Sequence, residues 1–158
     1  MLKQAIPNVF VKDFQAALAY YTGPLGFHSL FVYGDVPFYG HVARDEAILA
    51  IRHVDKPVID HTAGEVLLSA FIEVSDVDAL HQQLQTVGAR IRQAPRDEPW
   101  GMRSLIVSDL DDNLICFASP AVRCVATDAR TGRSAEADAT DRRQMAGGHC
   151  PAIAAVFR

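Results

Sequence analysis

The chain has 158 residues, 49% of them apolar, with a formal net charge of −4: enough for one ordinary domain or two small modules sharing a core. No run of about 18 apolar residues exists, and no charged start followed by an apolar stretch opens the sequence, so a soluble cytoplasmic protein without membrane contact is expected. Cys116, Cys124 and Cys150 stand at unrelated spacings, which excludes a Cys-x-x-Cys pair and an even disulfide framework and predicts free thiols.

The charge is uneven. From residue 121 onward six arginines (123, 130, 133, 142, 143, 158) face four acids (Asp128, Glu136, Asp138, Asp141), so this segment is +2 and residues 1–120 carry −6. That balance disfavours nucleic acid as a partner. It suits a cationic small ligand and equally a plain solvated acidic surface.

In chain order, Val9-Phe10-Val11 reads as a strand and Asp13 as the cap of a helix over Phe14 to Tyr21, stopped by Thr22-Gly23-Pro24. Apolar segments at 28–34, 37–43 and 47–53 follow as three strands. The order then returns: Phe71 to Val74 precedes Asp76 and a helical pattern through Ala79, Leu80 and Leu84. Val11, Asp13 and Ala16 match Val74, Asp76 and Ala79, and Leu25-Gly26 matches Val87-Gly88 with one gap. Strands are expected near 89–93 and 103–108, and the Asp109 to Asn113 turn leads into Leu114 to Phe117. Such a repeat predicts two packed copies of one βαβββ unit, at about 5–54 and 66–119, within an α+β domain over 1–120. Val54 to Glu65 is the expected linker, and 121–158 an expected poorly ordered tail.

Val-Lys-Asp at 11–13, the Ala-Ala-Leu-Ala-Tyr-Tyr helix, Leu25-Gly26-Phe27, Glu98-Pro99-Trp100-Gly101-Met102-Arg103 and Asp109 to Phe117 together resemble the glyoxalase, bleomycin-resistance and extradiol-dioxygenase superfamily, within it the bleomycin-resistance branch. The resemblance spans roughly residues 5–119. It implies paired modules forming a curled mixed-sheet cup, a homodimer, ligand grooves at the subunit interface, and sequestration of basic glycopeptide antibiotics without catalysis. Where that family has Asp-Pro-Asp-Gly-Asn, this chain has Asp109-Leu110-Asp111-Asp112-Asn113.

The superfamily's enzymes hold a metal on four His or Glu ligands from the first and last strands of the modules. Alignment on Asp13 and Asp76, and on the Asp-x-x-Ile segments ending at Ile48 and Ile115, places Ile6, Leu49, Ser69 and Cys116 at those positions. Ile, Leu and Ser with a lone thiol do not make a site for a hard divalent ion. The six histidines (28, 41, 53, 61, 81, 149) lack paired ligand spacings. No metal and no cofactor are therefore expected. No nucleophile with a base is evident, and an apolar setting raises rather than lowers the thiol pKa of Cys116.

A binding site without catalysis needs flat apolar surface and a few orienting polar groups. Phe31, Asp35, Phe38 and Tyr39 around the first hairpin, with Phe71, Glu98, Trp100 and Met102 in the second module, are the candidate ligand-binding residues. For Phe31 and Phe71 core packing is an equal reading, and Phe10, Phe27 and Phe117 read as structural. Leu30 stands where the antibiotic binders carry an acid before the aromatic. Two other readings stay open: a metal-dependent lyase, isomerase or dioxygenase using displaced ligands such as His41 and His53, and an interaction module whose aromatics only build a dimer.

Overall fold

The computed structural model describes residues 1–59 and 66–121. The element order is β1 (Asn8–Val11), α1 (Phe14–Thr22), β2 (His28–Tyr33), β3 (Tyr39–Arg44), β4 (Ala47–His53), β5 (Leu68–Glu73), α2 (Val77–Thr86), β6 (Ile91–Asp97), β7 (Met102–Ser108) and β8 (Leu114–Pro120). They form two four-stranded mixed sheets of one topology, β1-β4-β3-β2 and β5-β8-β7-β6. In each, the first and last strands pair in parallel and the other neighbours antiparallel. This is the glyoxalase/bleomycin resistance fold, α+β with two βαβββ modules. Among the described residues no helix is long and apolar enough to cross a membrane. Asp60 to Glu65 of the expected linker, and the expected tail from Val122 on, lie outside the described residues.

The local signals act as expected at the helix starts. The Asp13 carboxylate accepts from the Ala16 amide at 2.9 Å, and that of Asp76 from Asp78 and Ala79 at 3.0 Å, relieving amides that the first turn leaves unpaired. After each helix a glycine, Gly26 and Gly88, takes φ +70, a left-handed conformation that costs a side-chain-bearing residue energy.

Strand alternation divides each sheet into two faces. Val9, Val11, Leu49 and Ile51 of the first sheet, and Leu105, Val107, Ile115 and Phe117 of the second, face the helices and join Phe14, Tyr21, Leu80 and Leu84 in one core. The alternate residues Ala43, Ala50, Cys116 and Ala118 are also buried, yet belong to the other face and not to that core.

Two expectations are corrected. The sixth strand runs to Asp97 rather than ending near 93, because β6 is a sheet edge where Pro95 costs no ladder bond; its pairing with β7 shifts register twice. The match of Leu49 to Cys116 is off by one: Asn8 pairs with Ala50 as Phe71 pairs with Cys116. Ala50 is thus the counterpart of Cys116, and Leu49 is a core residue with no exposed surface.

A polar lock joins the modules. The buried Asp109 carboxylate accepts from the Asp111 and Asn113 amides (2.9 and 2.8 Å), the Asn113 side chain (2.8 Å) and the Tyr21 hydroxyl of α1 (3.0 Å). Asn113 Nδ2 also donates to the Phe10 carbonyl, and its Oδ1 accepts from the Phe10 amide. Beside it, Tyr20 Oη donates to the Ser108 carbonyl and accepts from the Arg90 amide. The departure from Asp-Pro-Asp-Gly-Asn leaves the turn intact: Asp109 and Asn113 close it at 3.0 Å, and Asp112 takes φ +61, the left-handed conformation that glycine adopts readily.

Burial holds the Asp109 carboxyl above its ordinary range, partly offset by the bonds from Asn113, Asp111 and Tyr21. Tyr21 is raised by its own burial and by the Asp109 charge. Tyr21→Phe leaves one carboxylate lone pair unmet and is expected to lower unfolding free energy in urea by about 1–3 kcal/mol. Asp109→Ala strands four donors and is expected to cost more than Tyr21→Phe.

Candidate functional site

The helix-free faces of the two sheets carry the candidate residues. On the first sheet, register sets Phe31 opposite His41 and Tyr33 opposite Tyr39, with Tyr39 opposite Arg52 and Arg52 beside Phe10. Phe31, Tyr39 and His41 form one ring group: centroids lie 4.6 Å apart for Phe31–His41, 5.4 Å for Tyr39–His41 and 6.1 Å for Phe31–Tyr39. Tyr39 Oη and His41 Nε2 are hydrogen-bonded at 2.9 Å, so each ring holds a polar atom of the other and the group is fixed as a unit.

Phe38 packs edge-on against Tyr33 at 5.7 Å. Gly34 at φ +107 makes that possible, since a Cβ there would stand 2.6 Å from the Val36 carbonyl and 2.7 Å from the Phe38 ring. Asp35 is exposed in the same turn. Phe31 is 44% exposed and Phe71 52%; within the described chain neither fills a core. Phe27 and Phe117 are core residues as expected, whereas Phe10 is half-buried on the helix-free face.

On the second sheet, Phe71 pairs with Cys116, and Ile106 flanks it. Glu98, Trp100 and Met102 belong to the β6–β7 hairpin, whose turn is closed by Glu98 N–H to Met102 O at 2.7 Å and Gly101 N–H to Glu98 O at 3.0 Å. Trp100 sits half-buried in this turn. The Glu98 carboxylate is already engaged within the chain: its side chain is 6% exposed and accepts from Arg96 Nε (2.8 Å), Ser104 Oγ (2.6 Å) and Gln93 Nε2 (3.4 Å). Burial raises its carboxyl, but the bonds from Arg96 and Ser104, with the Arg96 charge, outweigh that and hold it below the ordinary range. Burial and the Glu98 charge push the Cys116 thiol up to about 11, away from nucleophilic thiolate chemistry.

The structure thus gathers Phe31 with Tyr39, and Phe38 with Tyr33 beside Asp35. It gathers Glu98, Trp100 and Met102 separately, and among the described residues no ring contact links Phe71 or Trp100 to the first group. His41 and Arg52 were missed as face residues; the alternation of 39 with 41 was the signal for His41. His41 and His53 do not form a ligand pair, because His41 pairs with Ala50, three residues from His53, and the two side chains leave opposite faces of the sheet. Among the described residues no three His, Cys, Asp or Glu side chains converge to hold a metal ion. Ala50, Cys116 and the flanking apolar residues do not fit the metal that the fold's enzymes use.

Glu98 gives a pH test. A carboxyl lowered in the fold adds stability that is full above its ordinary pKa of 4.5 and lost as pH falls through the lowered value. Glu98→Gln is expected to flatten the acid limb of the stability–pH curve measured by urea unfolding; an unchanged limb would show that the carboxylate is not held as described.

A model of the Glyoxalase/Bleomycin resistance protein/Dioxygenase superfamily matches residues 3–117. No curated protein matches. Among solved structures, TioX from Micromonospora sp. ML1 is 26% identical, with 76% of this chain and 98% of that one covered and a TM-score of 0.57. A bleomycin-binding protein complexed with bleomycin is 25% identical (75% and 98% covered, TM-score 0.61). The bleomycin-binding protein from bleomycin-producing Streptomyces verticillus, complexed with copper(II)-bleomycin, is also 25% identical (74% and 97%, TM-score 0.58).

Proposed function

This chain belongs to the glyoxalase/bleomycin resistance protein/dioxygenase superfamily, and we propose that within it the protein is a cytoplasmic, metal-independent binder that sequesters a basic aromatic small molecule of bleomycin type without transforming it. The observation that carries this reading is the aromatic group of Phe31, Tyr33, Phe38 and Tyr39, held out of the core on a sheet face whose ligand-equivalent positions bear apolar or small side chains. The alanines and Cys116 that floor the two faces leave depth for a planar ring between larger neighbours. Each stacked ring contributes about 0.5–1.5 kcal/mol beyond area burial. The likeness to two bleomycin-binding structures supports the ligand class. With Glu98 already paired to Arg96, attraction for a basic group rests chiefly on Asp35.

The site in this reading is shared by two copies of the chain, Phe71, Trp100 and Met102 of one facing Phe31, Phe38 and Tyr39 of the other. Support comes from β2, an edge strand whose six residues are all exposed although Leu30, Phe31, Val32 and Tyr33 are apolar or aromatic. Soluble proteins normally cover such an edge. Sedimentation is expected to return twice the chain mass, and a monomer at micromolar concentration contradicts a shared site.

Calorimetry and fluorescence quenching of the single tryptophan with bleomycin test the ligand. Saturable binding is expected, with Trp100→Ala weakening it by more than about 1 kcal/mol, roughly fivefold. The absence of both heat and quenching would sink the antibiotic assignment.

A further inference from the structure

The repeat builds the junction between the modules twice, and the two versions differ. On one side the β7–β8 turn meets α1 and β1 through Asp109, Asn113, Tyr20 and Tyr21. On the other the β3–β4 turn meets α2 and β5. Helix and first-strand positions correspond at a spacing of 63 residues, so Phe10, Tyr20 and Tyr21 answer to Glu73, Gln83 and Leu84. Sheet register makes Arg44 and Ala47, opposite each other, the counterparts of Asp109 and Asn113.

The second junction therefore lacks the groups that fill the first. Asn113 occupies both backbone groups of Phe10, whereas the methyl of Ala47 offers nothing to Glu73. Arg44, itself a lining residue of this junction, reaches across it to Gln83 Oε1 at 3.1 Å and also donates to the Leu25 carbonyl of its own module at 2.8 Å. What remains is a cleft of about 500 Å³, with Ile72, Val74, Ala47 and Ala79 presenting apolar surface over the buried rings of Phe27 and Phe117, and Asp45, Glu46, Glu73 and Asp76 around it. Among the described residues no ion pair neutralises any of these four acids. Asp76 is engaged by the amides of its own helix.

We propose that this inter-module cleft is a second binding site, distinct from the aromatic sheet faces, for a small organic cation with a flat apolar body. The apolar wall takes the ring. The carboxylates of Glu46 and Glu73 take a planar, multiply donating cation by charge-assisted hydrogen bonds, and Ala47 leaves the space that Asn113 closes in the twin junction. The proposal stands independently of the antibiotic reading, since it uses neither the sheet faces nor a second copy.

Benzamidine is a suitable probe, with benzoate as the control of equal shape and opposite charge. In amide-resolved NMR titrations of the full chain, benzamidine is expected to shift Ala47, Glu73, Ala79 and Gln83 saturably, and benzoate is not. The double variant Glu46→Gln/Glu73→Gln, both exposed positions, is expected to weaken benzamidine at least about fivefold. Ala47→Asn, which restores the side chain of the closed junction, is expected to abolish the shifts. Equal shifts with benzoate, shifts confined to Phe31, Tyr39 and His41, undiminished affinity in both variants, or no saturable shift would each overturn the site. Dispersed spectra of the variants show that they are folded.

Discussion

The buried carboxylate of Asp109 is the contact on which the relation between the two modules depends. It comes from a turn in the second module, and among its four donors is a hydroxyl from the first helix. A carboxylate taken from water without such partners costs several kcal/mol, so turn, helix and first strand are held in one arrangement. Asn113 extends the same network to Phe10 on β1. The hydrophobic core beneath is non-directional and would tolerate small sliding of one module on the other. The hydrogen bonds do not, and they fix where each helix-free face points.

Duplication gave two such faces and two such junctions, and the sequence then diverged at both. The helix-facing positions stay apolar in each copy, Val9 and Ile51 answering to Ile72 and Phe117, because both copies feed one core. The outward positions carry no such constraint. In the first module they became a ring group around Phe31, Tyr39 and His41. In the second they became a mixed face with a paired acid, Glu98, and a turn tryptophan. The junctions diverged in the same way, one closed by tyrosine and asparagine and the other left open by leucine and alanine.

Much of the architecture was legible in the sequence because its signals are local: Asp13 and Asp76 as caps, glycine after each helix, period-two apolar strands, and a repeat long enough to align. The one-residue slip at Leu49 arose because the Asp-x-x-Ile segments ending at Ile48 and Ile115 look equivalent but lie one residue out of register, and the run Ile48-Leu49-Ala50-Ile51, apolar throughout, does not report which residues face the helices. Only backbone pairing does. The charge of Glu98 was visible as composition, but its neutralisation by Arg96, Ser104 and Gln93 depends on a hairpin register with two shifts. His41 was read as an isolated imidazole because its partners, Phe31 and Tyr39, are set by strand pairing and not by spacing to other histidines.

The central claim is that the helix-free faces hold an aromatic ligand and that this chain supplies no metal for it. A crystal structure of the full chain soaked with bleomycin tests it most directly. The account predicts the ligand's planar rings against Phe31 and Tyr39 of one copy and near Phe71 and Trp100 of another, with no ion bound by protein side chains alone. Bleomycin absent from these faces, or a metal ion coordinated by the chain at Ala50, Cys116 or their neighbours, would contradict it.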